Sequence, residues 1–239
     1  MLCEELARRG MVRVSVATMG RTLASLGARL KAAKPIVECP WPGWKRQRRL
    51  HELKCLEVYG PSKEPVLHMD EVDIHLNPKI GRDWCLPEQR RVVVTPGNNR
   101  KRYLAGALNV RTGELTWVEG ASKASALFIQ LLWRLAKVYR RARRIHLVLD
   151  NASVHSSKKT RKAIAQFGGR FVLHFLPPYC PQGNRIERVW LDLHANVTRN
   201  HRCRTLAQLM VRVHAYLAAR NRQRSASPSL RRTDLRRIV

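Results

Sequence analysis

The sequence predicts an α/β fold, a mixed sheet flanked by helices and preceded by a partial helix-turn-helix. Two observations predict the sheet. Apolar, β-branched runs of strand length recur between clusters of Gly, Pro, Asn and Asp. The early runs are separated only by turns, whereas the later ones alternate with segments of helical apolar period. Turn-linked strands form an antiparallel meander; strands reached through helices should lie parallel to each other, beside the first strand of the meander.

The first 30 residues read as two short helices. Gly10 to Val14 is a turn, Ser15 can cap a helix to Leu26, and Gly27 stops it. Val16, Met19, Leu23 and Leu26 form an apolar stripe for a mini-core, while Thr18, Arg21, Thr22 and Ser25 face the other way. Short polar and Arg side chains on one face suit a DNA groove, although any amphipathic helix shares that layout. Residues 31–63 read as a basic linker and helix, with Lys45, Arg46, Arg48 and Arg49 available for phosphates or for water.

The main domain is expected over 64–218. Pro65 to Leu76 is a strand on which Val66, Asp70, Val72 and Ile74 share a face by alternation, with Glu71 and Asp73 on the other. An acid on so apolar a face needs a neutralising partner, a metal ion or a buried Arg. Further strands are expected at Arg90–Thr95, Arg102–Val110 and Leu115–Val118. Ser122 then caps a helix to about Arg141, with Leu127, Leu131, Leu132 and Leu135 inward. Ile145–Leu149 is a strand that delivers Asp150 to a sheet edge. A helix from about Ser157 to Phe167 and a strand at Phe171–Phe175 follow. The Pro-rich loop Leu176–Gly183 leads into a helix from Asn184 with Glu187 in its first turn. A last helix, 204–221, carries Leu206, Leu209, Met210, Val213 and Leu217, and 219–239 is an Arg-rich tail.

The chain has 239 residues, 44% of them apolar, enough for a sizeable core, and its 46 Lys+Arg against 17 Asp+Glu give a formal charge of +29. A field of that sign favours a polyanionic partner, or it reflects Arg-rich solvated faces. No run of about 18 apolar residues is present for a membrane span, and the N-terminus is not a secretory signal. Six scattered cysteines without a Cys-x-x-Cys pair read as free thiols of a reducing compartment.

Three carboxylates on separate rigid elements, Asp70, Asp150 and Glu187, can hold divalent ions through oxygen, as two-ion phosphoryl transfer requires. Asp70 is then the natural bridging ligand. Two simpler readings stay open: Asn184-x-x-Glu187 also fits a helix capping box, and Asp150-Asn151 fits plain turn chemistry.

Met69-Asp70-Glu71, Leu149-Asp150-Asn151-Ala152-Ser153-Val154-His155 and Leu176-Pro177-Pro178-Tyr179-Cys180-Pro181 through Asn184-x-Ile186-Glu187-x-x-Trp190 resemble the DDE transposases of the insertion-sequence-630 family, bacterial relatives of mariner elements. The resemblance implies an RNase H-like catalytic domain, Asp70, Asp150 and Glu187 as the metal-binding triad, and Mg²⁺ (or Mn²⁺) as two ions. It also implies Asn151, His155 and Asn184 as supporting residues, and double-stranded terminal-repeat and target DNA as partners. A homodimeric synaptic complex, TA targets and a cytoplasmic, nucleoid-associated setting complete the expectation. Arg185 stands where the family usually has proline, and Gly183 is new to the turn. The first part of the DNA-binding region is missing, so the chain is expected to be an N-terminally truncated transposase. The alternatives are an RNase H-like nuclease acting alone and a catalytically silent DNA-binding remnant.

Overall fold

The computed structural model describes residues 2–29, 37–89 and 92–226. The chain divides into two compact units, 1–38 and 39–239.

The first unit holds α1 (Leu2–Arg8) and α2 (Val16–Ser25). Ser15 caps α2 by accepting the Thr18 N–H at 3.1 Å, and Gly27 takes a positive φ of 68° just past its end. The expected mini-core is not formed. Neither helix buries a residue, and Val16 and Leu26 are 81% and 75% exposed. Two helices this short offer too little facing surface to cover the stripe.

The second unit begins with α3 (Gly43–Tyr59) and continues through β1 (Val66–His75), β2 (Lys101–Asn109) and β3 (Leu115–Gly120). After them come α4 (Ser125–Val138), β4 (Ile145–Leu149), α5 (Ser153–Ser156), α6 (Lys158–Ala165), β5 (Phe171–Phe175), α7 (Glu187–Leu193) and α8 (Leu206–Ala226). The sheet order is β3-β2-β1-β4-β5. The meander β1–β2–β3 is antiparallel, while β1–β4 and β4–β5 are parallel. The parallel pair lies beside the first strand of the meander, as the order of elements predicts.

Both faces of β1 are covered, each by its own core. On one side Leu67 and Met69 pack with Leu127, Phe128, Leu131, Leu132 and Leu135 of α4. On the other, Val72 and Ile74 pack with Trp190 and Leu193 of α7 and Leu209, Val213 and Leu217 of α8. A smaller cluster joins Leu53 of α3 to Val66, Val148 and Leu176, so this helix is docked on the sheet.

Three boundaries differ from expectation. The strand expected at Arg90–Thr95 falls partly outside the described residues, and Val92 to Thr95 is irregular. Val92 and Val94 are 79% and 82% exposed, because the 76–100 excursion offers them no partner strand. Ser122 does not cap α4, whose flanking residue is Ala124 with no side-chain cap. The last helix runs on to Ala226, so 219–226 is helical, and the rest of the expected tail lies outside the described residues.

Candidate active site

Alternation along β1 and β4 sets the site. The parallel register pairs Val66 with His146 and His68 with Val148. Two residues further along each strand come Asp70 and Asp150, on the same side chain parity as the clustered pair Val66 and Val148. Adjacent strands lie about 4.8 Å apart, so the two acids emerge side by side. Glu187 arrives from above, as the first residue of α7. Asp70, Asp150 and Glu187 line one cavity of about 540 Å³, with Asn151, Asn184 and the loop Leu176–Pro181 as walls. The structure therefore gathers the three expected acids.

The height of α7 over the sheet depends on Gly106. This residue lies opposite Asp70 in the β1–β2 register. A Cβ there would stand 2.6 Å from Trp190 Cη2 and 3.2 Å from Ile186 Cδ1. The bare backbone lets both side chains lie on the strand, Ile186 immediately before Glu187 and Trp190 about one turn after it.

The electrostatics of the three acids differ. Burial, then the charge of Glu187, pushes Asp70 up to about 7. No arginine pairs with Asp70 among the described residues. Burial and the charge of Asp150 raise Glu187. Asp150 moves the other way: a hydrogen bond from His155 holds it below the usual carboxylate range, helped by the backbone N–H of Ala152. His155 Nε2 lies 3.1 Å from Asp150 Oδ1, and the ring is 1% exposed against Phe128. The Asp150–Ala152 bond is also the turn interaction foreseen as an alternative, so this residue serves the turn and the cavity together.

Asn184 does not form a capping box with Glu187. The residue flanking α7 is Ile186, with no side-chain cap. The Asn184 amide instead donates to the carbonyl of Met69 at 2.9 Å, which ties the turn to β1 beside Asp70. Asn151 donates to the Leu176 carbonyl at 2.7 Å and fixes the start of the Pro loop. Tyr179 in that loop has a φ of +52° and holds an exposed ring at the cavity rim.

Asp70 and Glu187, raised by burial and by a neighbouring carboxylate, and the ionised Asp150 beside them are an oxygen donor set with an excess of negative charge, which suits a divalent cation. Among the described residues no three His, Cys, Asp or Glu side chains are gathered closely enough to hold an ion as they stand. The acids share the cavity, and a ligand sphere would require them to close on it.

Two neighbours escaped the sequence reading. Glu71, on the far face of β1, is 7% exposed, with Lys123 Nζ at 3.6 Å and His155 Nε2 at 3.8 Å from its Oε2. Lys123 lowers the pKa of Asp70, Glu71, Asp150 and Glu187 alike, so its ammonium is the counter-charge of the whole site. The signal for Glu71 was available, because a strand covered on both faces buries most of the side chains it carries.

The residues expected to touch DNA lie on two elements. On α2, Thr22 and Ser25 donate to carbonyls of their own helix, and Arg21 reaches Thr18 Oγ1 at 3.5 Å. On α3, Lys45 sits over the Trp41 ring and Arg46 is half-buried. Arg48 and Arg49 both pair with Glu52, and Arg49 also donates to the Phe175 carbonyl at 3.0 Å. Arg49 thus fastens α3 to the end of β5.

Residues 65–210 match the family described as DDE superfamily endonuclease. The chain is 42% identical over 205 residues to the "Insertion element IS630 uncharacterized 39 kDa protein" of Shigella sonnei, a match covering 86% of this chain and 59% of that protein. It therefore spans less than two thirds of that relative's length. Among solved structures it is similar to the Mos1 transposase paired-end complex with left transposon end, with a TM-score of 0.63 at 16% identity over 95% of this chain and 71% of that one. It is also similar to the catalytic domain of Mos1 mariner transposase, with a TM-score of 0.51 at 15% identity over 82% and 93% of the two chains. At such identities the likeness is one of fold, and it agrees with the RNase H-like sheet expected from the sequence. Since the matched segment takes in β1, β4 and α7 and with them all three cavity acids, this chain belongs to the DDE superfamily endonucleases.

Proposed function

We propose that the chain is the catalytic portion of a DNA transposase that cuts and joins DNA at the ends of an insertion sequence. The observation that carries this reading is the shared cavity of Asp70, Asp150 and Glu187 in a chain of charge +29. The substrate is double-stranded DNA, first the terminal repeats and then the target. Water attacks the phosphodiester in line, the 3′-oxygen leaves, and the freed 3′-hydroxyl attacks target DNA in the same site.

The cofactor is Mg²⁺, with Mn²⁺ able to replace it, as two ions held by the three acids. Solved Mos1 paired-end complexes with Mn and with Mg support that choice. When bound, such ions activate the attacking oxygen and stabilise the leaving one. The protein's own share is positional. Asp70 supplies the central ligand from β1, Asp150 is aimed by His155 and the Ala152 N–H, and Glu187 closes the site from α7. Lys123 offsets part of the carboxylate charge and is open enough to meet a phosphate.

Thr18, Arg21, Thr22 and Ser25 of α2 and Lys45, Arg46, Arg48 and Arg49 of α3 are assigned to DNA, with the basic 219–239 end as a further phosphate contact. A homodimer joins two ends in the synaptic complex, and the protein works in the bacterial cytoplasm at the nucleoid. Mg²⁺- or Mn²⁺-dependent nicking of a labelled terminal-repeat duplex tests the proposal. Wild type cuts and Asp150→Asn, which keeps shape and loses charge, does not. Duplex binding by both with cutting by neither would sink it in favour of a silent remnant.

A further inference from the structure

The start of α7 has no side-chain cap, yet it must hold Glu187 against the middle of β1 and the end of β4. What fixes it is a buried network two residues upstream. His68, on β1 two residues before Asp70, is 1% exposed. Its Nε2 lies 2.7 Å from Glu57 Oε1 on α3. Its Nδ1 faces the turn, 3.0 Å from the Arg185 N–H and 3.3 Å from Asn184 Oδ1. Arg185 returns to α3, its Nε donating to Glu57 Oε2 at 2.8 Å. Glu57 is 4% exposed, so each oxygen of one buried carboxylate is committed to a different element of the site. With the Asn184 bond to Met69, the network clamps α3, β1 and the turn that carries Glu187.

A buried charge of this kind is a poor source of stability, because an apolar trio of similar volume would stabilise the unit as well or better. What it supplies is direction: hydrogen bonds of fixed length at the two residues immediately before Ile186 and Glu187. Arg185 is also the position at which this chain departs from the usual proline of the motif, so its turn depends on a guanidinium where a ring would otherwise stiffen it.

We infer that Glu57 and His68 are positioning residues for Glu187, acting through Arg185 and Asn184 to aim its carboxylate into the cavity it shares with Asp70 and Asp150. The inference rests on the metal-dependent reading above. In it α3 is part of the active-site apparatus.

The test is Mn²⁺ titration of the chain without DNA, followed by the electron paramagnetic resonance of free Mn²⁺, for wild type, Glu57→Gln, Arg185→Lys and Asp150→Asn. Glu57→Gln keeps the shape of the side chain and removes the charge that engages His68 and Arg185. Arg185→Lys keeps the charge and loses Nε on a partly exposed side chain, so it tests the same link if Glu57→Gln does not fold. The expected result is a rise of about 10- to 100-fold in the Mn²⁺ dissociation constant, the usual cost of removing a group that orients a ligand. Duplex affinity in EDTA should stay within twofold of wild type. A folded variant with unchanged Mn²⁺ affinity, beside an Asp150→Asn that has lost it, would overturn this inference alone. Equal binding by wild type and Asp150→Asn would remove the metal site and overturn both.

Discussion

At Asp70, burial and the charge of Glu187 combine to push the carboxyl up to about 7, from an ordinary value of 3.8. Without metal, the folded chain keeps this proton over a range in which the unfolded chain has lost it. The site is then free of penalty below about pH 4, loses stability as the pH rises, and carries the full penalty above about 7. Thermal unfolding in EDTA should show wild type falling behind Asp70→Asn between pH 5 and 8, with saturating Mn²⁺ closing the gap. Parallel pH profiles for the two would refute it. Gly106 makes a second prediction. Gly106→Ala sets a methyl against Trp190 and Ile186, and overpacking of this kind costs about 1–3 kcal/mol. Chemical denaturation measures it, and a variant as stable as wild type would show that α7 can lift freely. Of these residues, Asp150 and Glu187 were legible because each ends or begins an element that the pattern marks clearly. Glu57 and His68 were not, since their meaning lies in contacts between α3, β1 and a distant turn, and no spacing along the chain encodes such a contact.

The elements show where local pattern suffices. β4 and β5 are the strands expected, with unchanged ends, because short apolar runs between turn residues admit few other readings. Val92-Val93-Val94 has the composition of a strand and is irregular, since β-propensity measures how a side chain fits a half-buried surface and none is supplied there. In α2 the apolar stripe is real in sequence and uncovered in structure for the same reason. The opposite surprise is α3. Its basic exposed side suggests an arm, yet Leu53 is 4% exposed against Val66, Val148 and Leu176. Leu53→Ala should destabilise the 39–239 unit by about 2–4 kcal/mol, as core truncations do. Trp44→Ala on the same helix, at a residue 67% exposed, should change stability by less than about 0.5 kcal/mol. Equal unfolding midpoints for the two variants would mean that the helix is not docked in solution.

Over the whole molecule, charge is arranged by region. From 120 to 186 the only acid is Asp150, in a stretch that supplies α4, β4, α5, α6 and β5. Arg140, Arg141, Arg143 and Arg144 are exposed at the end of β4 opposite that acid. Duplex affinity should therefore fall steeply with salt, by the release of one condensed ion for each phosphate neutralised. Replacing these four arginines with alanine should flatten the slope of log affinity against log salt while leaving the unfolding midpoint in place. An unchanged slope would mean that the region is a solvated face.

The sheet order has a consequence for when the three-acid cavity can exist. Its acids come from β1, from the end of β4 and from the start of α7, so synthesis adds them one at a time, Glu187 last. Before that residue has left the ribosome and Trp190 has settled on Gly106, the growing chain carries at most two of the three. On the proposed function, translation would then act as a safety catch: a polypeptide stopped before Glu187 would offer cations to DNA with an incomplete set of acids.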